Sequence, residues 1–283
     1  MTQAPPVVLA IAGFDPSSGA GVTADIKTIA AHGCYGIACI TALTVQSTAG
    51  VRRVELVRPE LVAETLEELA SDLEIAAVHI GMLGSGKVAG AVAEFLLAQK
   101  PANIVLDPVI KSSSGRELLD ASGVKLLAER LIPLAAVITP NVDEASALTG
   151  LPVTNPEQMG AAAARLHAMG APAVVVTGGH LERAIDLLSF SSRRGTQQEV
   201  FKSDRLRSQS THGTGCAFAT AMACHLANGR GLPEAVLLAK AYVAAAITNA
   251  YPLGHGVGPV NHLYRMQQQR RAIIGDAESS AGS

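Results

Sequence analysis

The run Thr211-His-Gly-Thr-Gly-Cys216 joins two glycines, two hydroxyls and a thiol directly ahead of an alanine-rich apolar stretch. Glycines free the backbone so that successive N–H groups can converge, and a helix that begins there adds the positive end of its dipole. Such a turn suits negative charge, including the charge that develops on a phosphoryl group in transfer. Without further context it is also an ordinary loop-to-helix turn. The same helix start favours a thiolate at Cys216, because a nearby helix N-terminus lowers the pKa of a thiol.

Carboxylates recur at the ends of apolar runs. Asp107 closes one in VLDPV, and Asn141 and Glu144 follow another in ITPNVDEA. An Asp at a strand tip, with Asn and Glu three apart near a helix start, can hold Mg²⁺ through water, since that ion keeps most of its hydration and takes few protein ligands. The Asn–Glu spacing is equally that of a capping box, with Asn141 as N-cap and Glu144 at N3. Both roles coexist only if Glu144 points outward to the metal. A third turn, Gly13 to Gly21, follows the first apolar run and leads into a helix with Asp25, whose carboxylate can accept a hydrogen bond from a ligand hydroxyl. Its spacing is not G-x-G-x-x-G and no acidic residue ends a second strand at the required distance, which argues against a dinucleotide site. His180 and His255 stand beside glycines, where a histidine is more often a hydrogen-bonded turn residue than a catalyst, and neither is assigned a role.

The elements that must position these residues are short apolar runs at Val7 to Ala12, Ile37 to Thr44, Ala76 to Ile80, Ile104 to Leu106, Ala136 to Thr139 and Ala173 to Thr177. Between them lie amphipathic segments such as Pro59 to Asp72 and Lys87 to Gln99, which read as crossover helices. This alternation predicts parallel βαβ units with helices on both faces of the sheet. Ile185 to Phe190 and Gln198 to Phe201, separated by SSRRGTQ, predict an antiparallel hairpin on the sheet edge. Two alanine-rich helices follow, over Cys216 to Asn228 and Leu232 to Ala250. Ligands in an open parallel sheet bind beyond the carboxyl ends of the strands, where the candidate residues cluster. No repeat or linker interrupts the pattern, so one domain over 7–267 is expected, with 1–6 and 268–283 as frayed ends.

Bulk composition narrows the partners. The 283 residues are 48% hydrophobic and 3% aromatic with no Trp, so the core must come from Ala, Val, Leu and Ile. Net charge is −2 and the 22 Lys and Arg are scattered, so nothing calls for a nucleic-acid groove and no nucleic-acid partner is expected. The N-terminus has no basic region and its apolar stretch is too short for a signal or a membrane span, so a cytoplasmic protein is expected. The four cysteines form no CxxC pair and read as free thiols, three of them core fillers.

Taken in order, the motifs resemble the ribokinase superfamily, and within it the hydroxymethylpyrimidine and phosphomethylpyrimidine kinases of thiamin biosynthesis. The likeness runs from IAGFDPSSGAGVTADIKT through YGIACITALTVQST, IGMLGS, VLDPV, TPNVDEA and GGH to STHGTGC and GHGVGP. Sugar kinases of the superfamily typically carry Asp as general base where Cys216 stands, and that replacement points to the pyrimidine and pyridoxal branch. The resemblance implies an α/β protein with a three-layer αβα ribokinase-like fold, ATP and Mg²⁺ as cofactors, a small pyrimidine as substrate and a homodimer. It implies phosphorylation of 4-amino-5-hydroxymethyl-2-methylpyrimidine and then of its monophosphate. A pyridoxal or pyridoxine kinase and a non-catalytic pyrimidine-binding paralogue are the alternatives.

By position, the resemblance implies a substrate pocket of Gly13, Asp25, Gln46, Met82 and Val109, closed by Cys216, with Asp25 and Gln46 on the polar edge of the ring and Met82 and Val109 around it. It implies an anion hole at Gly213, Thr214 and Gly215, and metal ligands Asp107 and Glu144. On the nucleotide side it implies Asn141, Thr177, Thr211 and His212. One departure stands out: in this branch the strand before GGH usually ends in Lys, and here it ends in Thr177, which offers a hydroxyl where a cation is expected beside the ATP phosphates.

Overall fold

Alternate residues of β1 (Val7–Phe14) face opposite ways: Val8 and Ala10 join the apolar core on one side of the sheet, Leu9 and Ile11 the core on the other. A strand buried on both faces belongs inside a parallel sheet covered by helices. The computed structural model, which describes residues 4–112, 114–179, 184–192, 195–203 and 208–268, shows that arrangement. His180 and the segments 1–3 and 269–283, which include nearly all of the expected C-terminal fraying, lie outside the described residues.

The sheet also contains β2 (Tyr35–Ser47), β3 (Gly50–Leu56), β4 (Ile75–Ile80), β5 (Ile104–Leu106), β6 (Val137–Ile138), β7 (Ala173–Gly178), β8 (Ala184–Ser192) and β9 (Gly195–Ser203). Its order is β3-β2-β1-β4-β5-β6-β7-β8-β9. From β2 to β7 all neighbours are parallel, while β3 at one edge and the β8–β9 hairpin at the other run antiparallel. The chain leaves β1 in one direction to β2 and later returns to β1's other side as β4. The crevice between the β1 and β4 tips is therefore a topological switch point, where ligands collect in open α/β sheets.

On one face lie α1 (Gly21–Ala31), α7 (Thr214–Ala227) and α8 (Leu232–Thr248). On the other lie α2 (Pro59–Asp72), α3 (Gly86–Gln99), α4 (Ala121–Leu126), α5 (Val142–Thr149) and α6 (Pro156–Ala168). In α7 the small side chains Ala217, Ala219, Ala221 and Ala223 are fully buried, which brings this helix close against the strands and fixes where its first turn points. No helix of the described residues is long and apolar enough to cross a membrane. Cys34, Cys39 and Cys224 are buried free thiols, as the sequence suggests, and Cys216 is half-buried.

The six apolar runs fall on β1, β2 and β4–β7, and the polar-separated pair on β8–β9. β3 is absent from the sequence expectations. Its residues GVRRVEL are mostly exposed and carry three charges in a row of five, the composition of a solvated edge strand rather than of an apolar run.

Candidate functional site

Gly213 starts α7 in the left-handed region, with φ 81°. Behind that turn the chain closes tightly on the loop after β1: a Cβ at Gly213 would lie 1.8 Å from the Gly19 carbonyl oxygen, and one at Gly19 would lie 2.2 Å from the His212 ring. Two motifs almost two hundred residues apart are thus pressed together through positions where only hydrogen fits. At the helix mouth, the Thr214 N–H turns back to the Thr211 carbonyl at 3.4 Å and the Ala217 N–H to the Gly213 carbonyl at 2.9 Å. The amides of Gly213, Gly215 and Cys216 have no acceptor among the described residues, and Gly215 is exposed with Asp107 Oδ2 3.8 Å from the place its Cβ would take. The cradle anticipated for negative charge is open, and it faces the β5 tip.

The turn borders a cavity of about 1680 Å³ over the carboxyl ends of the strands. That exceeds the roughly 300–1,000 Å³ of a site for one drug-sized molecule and leaves room for two ligands side by side. Gly13, Gln46, Met82 and Val109 line it, as do Asp107, Asn141 and Glu144; so do Thr177 and the run from Thr211 to Cys216. Gly13 has a packing reason: the Met82 sulfur stands 2.9 Å from where a Cβ would be, across the switch-point crevice.

Asp25 is the exception, and the expectation that it meets a substrate is corrected. Its side chain is fully buried behind α7 and outside the cavity. Thr220 Oγ1 donates to its Oδ1 at 2.8 Å, and its Oδ2 lies 3.3 Å from His79 Nδ1. Asp25 falls on the inward face of α1 beside Val22 and Ile29, and a buried carboxylate needs such partners. The acidic residue that the sequence reading passed over is Asp15. Its carboxylate accepts from the Ser17 hydroxyl at 2.6 Å, from the backbone amides of Ser17, Gly19 and Ala20, and faces His212 Nε2 at 2.9 Å. Burial opposes its charge, but the His212 ring and these donors prevail and hold its pKa below the usual value. The Asp-Pro-Ser-Ser-Gly run after β1 is an Asx-type turn signal that could have identified it.

His212 is the ring that Asp15 faces. It was expected on the nucleotide side, and it stands against Asp15 and Gln46, whose Nε2 is 3.3 Å from His212 Nε2. A carboxylate only accepts, so His212 Nε2 carries the hydrogen toward Asp15, and the Gln46 amide is left to serve a ligand.

The acidic edge has its own electrostatics. The capping box is real: the Asn141 side chain accepts from the amides of Asp143 and Glu144, and Glu144 Oε2 accepts from the Asn141 N–H at 2.9 Å. Glu144 nevertheless lines the cavity. Burial, then repulsion from Asp107, pushes its carboxyl up to about 8. Burial also pushes Asp107 up to about 6, against the pull of His79, while hydrogen bonds from Cys216 and Thr139 favour its charge. Burial alone would lower the His79 imidazole, but the Asp25 carboxylate outweighs it and the pKa is raised. Two carboxyls that resist ionising together are what a site for a divalent cation provides, and the small protein share fits Mg²⁺. No cluster of three or more His, Cys, Asp or Glu suited to a metal exists among the described residues.

The same field opposes the thiolate expected at Cys216. Burial and the carboxylates of Asp107 and Asp25 raise its pKa well above that of an ordinary thiol, although the Gly21 amide donates to it. The neighbouring acids work against the helix end and favour the protonated thiol, whose interaction with Asp107 in turn favours that carboxylate.

Comparison with known proteins gives a consistent result. The phosphomethylpyrimidine kinase family matches residues 15–261. A hydroxymethylpyrimidine/phosphomethylpyrimidine kinase of Streptomyces coelicolor is 42% identical over 259 residues, covering 91% of this chain and 94% of its own. The thiamine biosynthesis bifunctional protein of Geobacter sulfurreducens is 44% identical over 93% of this chain, which spans 53% of that longer protein. Among solved structures, the ADP complex of Bacillus subtilis pyridoxal kinase superposes with a TM-score of 0.84 at 32% identity, over 93% of this chain and 100% of that one.

Proposed function

The chain belongs to the phosphomethylpyrimidine kinase family, and from that premise we propose that it moves the γ-phosphate of ATP onto 4-amino-5-hydroxymethyl-2-methylpyrimidine, and then phosphorylates the monophosphate to the diphosphate, in thiamin biosynthesis. The observation that carries the reading is the open set of amides at Gly213, Gly215 and Cys216 directly before Asp107.

The pyrimidine takes the switch-point side of the cavity, between Met82 and Val109, with the Gln46 amide on its polar edge and Gly13 beneath. This places its hydroxymethyl group toward Cys216 and the cradle. The nucleotide takes the side of Asn141, Thr177 and Thr211. As the phosphoryl group passes, its equatorial oxygens face the free amides, which are fixed before reaction by the clamp of Gly213 on Gly19. Asp107, with a carboxyl near 6 and ionised at neutral pH, accepts the Cys216 S–H; the thiol orients and does not act as an anionic base. Because the transition state of phosphoryl transfer is loose, positioning and charge stabilisation outweigh early removal of the hydroxyl proton. Mg²⁺, for which Asp107 and Glu144 are the available ligands, neutralises the phosphate charge when bound.

The test is ADP release with Mg-ATP on adding the hydroxymethylpyrimidine, its monophosphate or pyridoxal in parallel. Turnover that favours the first two supports the reading; turnover that favours pyridoxal moves the chain to the activity of its Bacillus subtilis neighbour. Binding without ADP release makes it a non-catalytic receptor. A single catalytic domain over 7–267 and a cytoplasmic homodimer complete the proposal. The half-exposed Leu43, Val45 and Leu56 on the β2–β3 edge are candidates for a covered face, and light scattering at micromolar concentration reads the subunit count.

A further inference from the structure

Opposite the acidic edge, α8 presents Lys240, Val243, Ala244 and Ile247 to the cavity, spaced as one helical stripe. Three of these are apolar and suit a flat heterocycle. Lys240 is the fourth, and an ammonium on such a face needs a reason. Its side chain is 14% exposed, and Nζ lies 2.5 Å from Asp186 Oδ2. Asp186 is itself tied down, since its Oδ1 accepts the Gly178 N–H at 3.0 Å. In the sheet Asp186 stands opposite Thr177, and Thr177 bridges to Asn141 at the start of α5. The ammonium is therefore held at the β7 end of the cavity, next to the elements that bear Glu144.

Charge and valence both leave this group unfinished. Among the described residues, the cavity lining contains the carboxylates Asp15, Asp107, Asp143, Glu144 and Asp186 and the lysines Lys111 and Lys240, and Lys111 is exposed. An ammonium has three N–H donors, and among the described residues Asp186 is the only acceptor for Lys240. The other two donors have no acceptor among the described residues, and the ammonium borders a cavity lined by acids, neutral polar groups and apolar groups. A buried ion pair of this kind is weak evidence of a stabilising role. We propose that Lys240, aimed by Asp186, is the residue that grips the polyphosphate of the nucleotide. It supplies from α8 the positive charge that Thr177 does not offer at the tip of β7. The assignment rests on the kinase reading above.

The experiment measures equilibrium binding of ATP, ADP and AMP in the presence of Mg²⁺, and separately of the hydroxymethylpyrimidine, to the full chain and to Lys240→Met. The expected result is a loss of tenfold or more for ATP, a smaller loss for ADP, less than twofold for AMP and no change for the pyrimidine. Lys240→Arg should recover part of the ATP affinity. Because Lys240→Met orphans the Asp186 carboxylate, the double variant Lys240→Met/Asp186→Asn is measured alongside and should show the same graded loss. Equal losses for all three nucleotides, or unchanged ATP binding in the folded double variant, would overturn the assignment and leave Lys240 as a tie between α8 and β8. Failure of the kinase reading itself looks different: the unaltered chain would then bind pyrimidine and no ATP at all.

Discussion

Replacing Gly213 by Ala adds one methyl group at a place where the structure leaves no volume for it. The new Cβ falls 1.8 Å from the Gly19 carbonyl oxygen and 2.9 Å from its carbon, both backbone atoms that no side-chain rotation can move aside. The backbone at φ 81° is also left-handed, which costs a non-glycine residue roughly 1–2 kcal/mol. Prying the two loops apart adds the penalty of an overpacked site, about 1–3 kcal/mol. The sum, about 2–5 kcal/mol, corresponds to a fall in Tm on the order of 5–15 °C for a chain of this size. Turnover should drop by more than a hundredfold, because the cradle amides shift as the clamp opens. Gly215→Ala is the control for the reasoning. It sits two residues away in the same turn, its Cβ would meet nothing closer than Asp107 Oδ2 at 3.8 Å, and its φ is ordinary. Its Tm should be unchanged or rise slightly, since Ala favours a helix over Gly by up to about 1 kcal/mol. Its kcat/KM should still fall about tenfold, because the methyl stands in front of Asp107. Thermal unfolding and coupled ADP-release assays on both variants check this. A Gly213→Ala protein with normal Tm and turnover, or a fully active Gly215→Ala protein, refutes the account of the cradle.

Cys216→Ala should retain substantial turnover, with kcat reduced about tenfold rather than the 10²–10⁴ expected on loss of a general base; a loss of a thousandfold in steady-state assays would restore the thiolate mechanism. Asp107 and Glu144 have folded pKa values raised to about 6 and about 8, so between roughly pH 4 and 8 the fold holds protons that the unfolded chain has released, and these groups make stability decline as pH rises through that window. Mg²⁺ competes with those protons, so its stabilising shift in Tm should be larger at pH 8.5 than at pH 5.5, and a shift independent of pH contradicts the shared site. Asp25→Ala leaves His79 and Thr220 without their buried partner and should cost about 3–5 kcal/mol by urea unfolding; unchanged stability with a raised KM for the pyrimidine would return Asp25 to the substrate.

The parallel core was legible because burial on both faces writes itself as an unbroken apolar run, as in Val7–Ala12 and Ala173–Thr177. Pro59–Asp72 matched α2 to the residue, since Pro at the first helical position and a 3.6-residue apolar spacing mark both its start and its face. β3 had no such mark. An edge strand needs only one partner and leaves Arg52, Arg53 and Glu55 in solvent, so its sequence resembles a loop. The order of strands, and so the switch point between β1 and β4, is a non-local property that no window of residues contains.

For the site, the motifs and the family resemblance they carry named candidates that all line one cavity except Asp25, while the sign of the local field was invisible. A helix N-terminus before Cys216 argues for a thiolate only while its neighbours are unknown. Asp107, Glu144 and Asp25 come from three other elements, and their combined charge reverses the argument. Asp25 and Asp15 show the same limit from the other side. Both are acids within the same glycine-rich segment, and only the fold decides that one turns into the core against His79 while the other anchors His212 at the cavity wall. The cradle therefore combines two opposed fields: amides open to negative charge, and carboxylates that oppose it. On the proposed kinase reading a metal-bound nucleotide would be favoured over free phosphate, because a ligand that brings positive charge to Asp107 and Glu144 relieves that opposition.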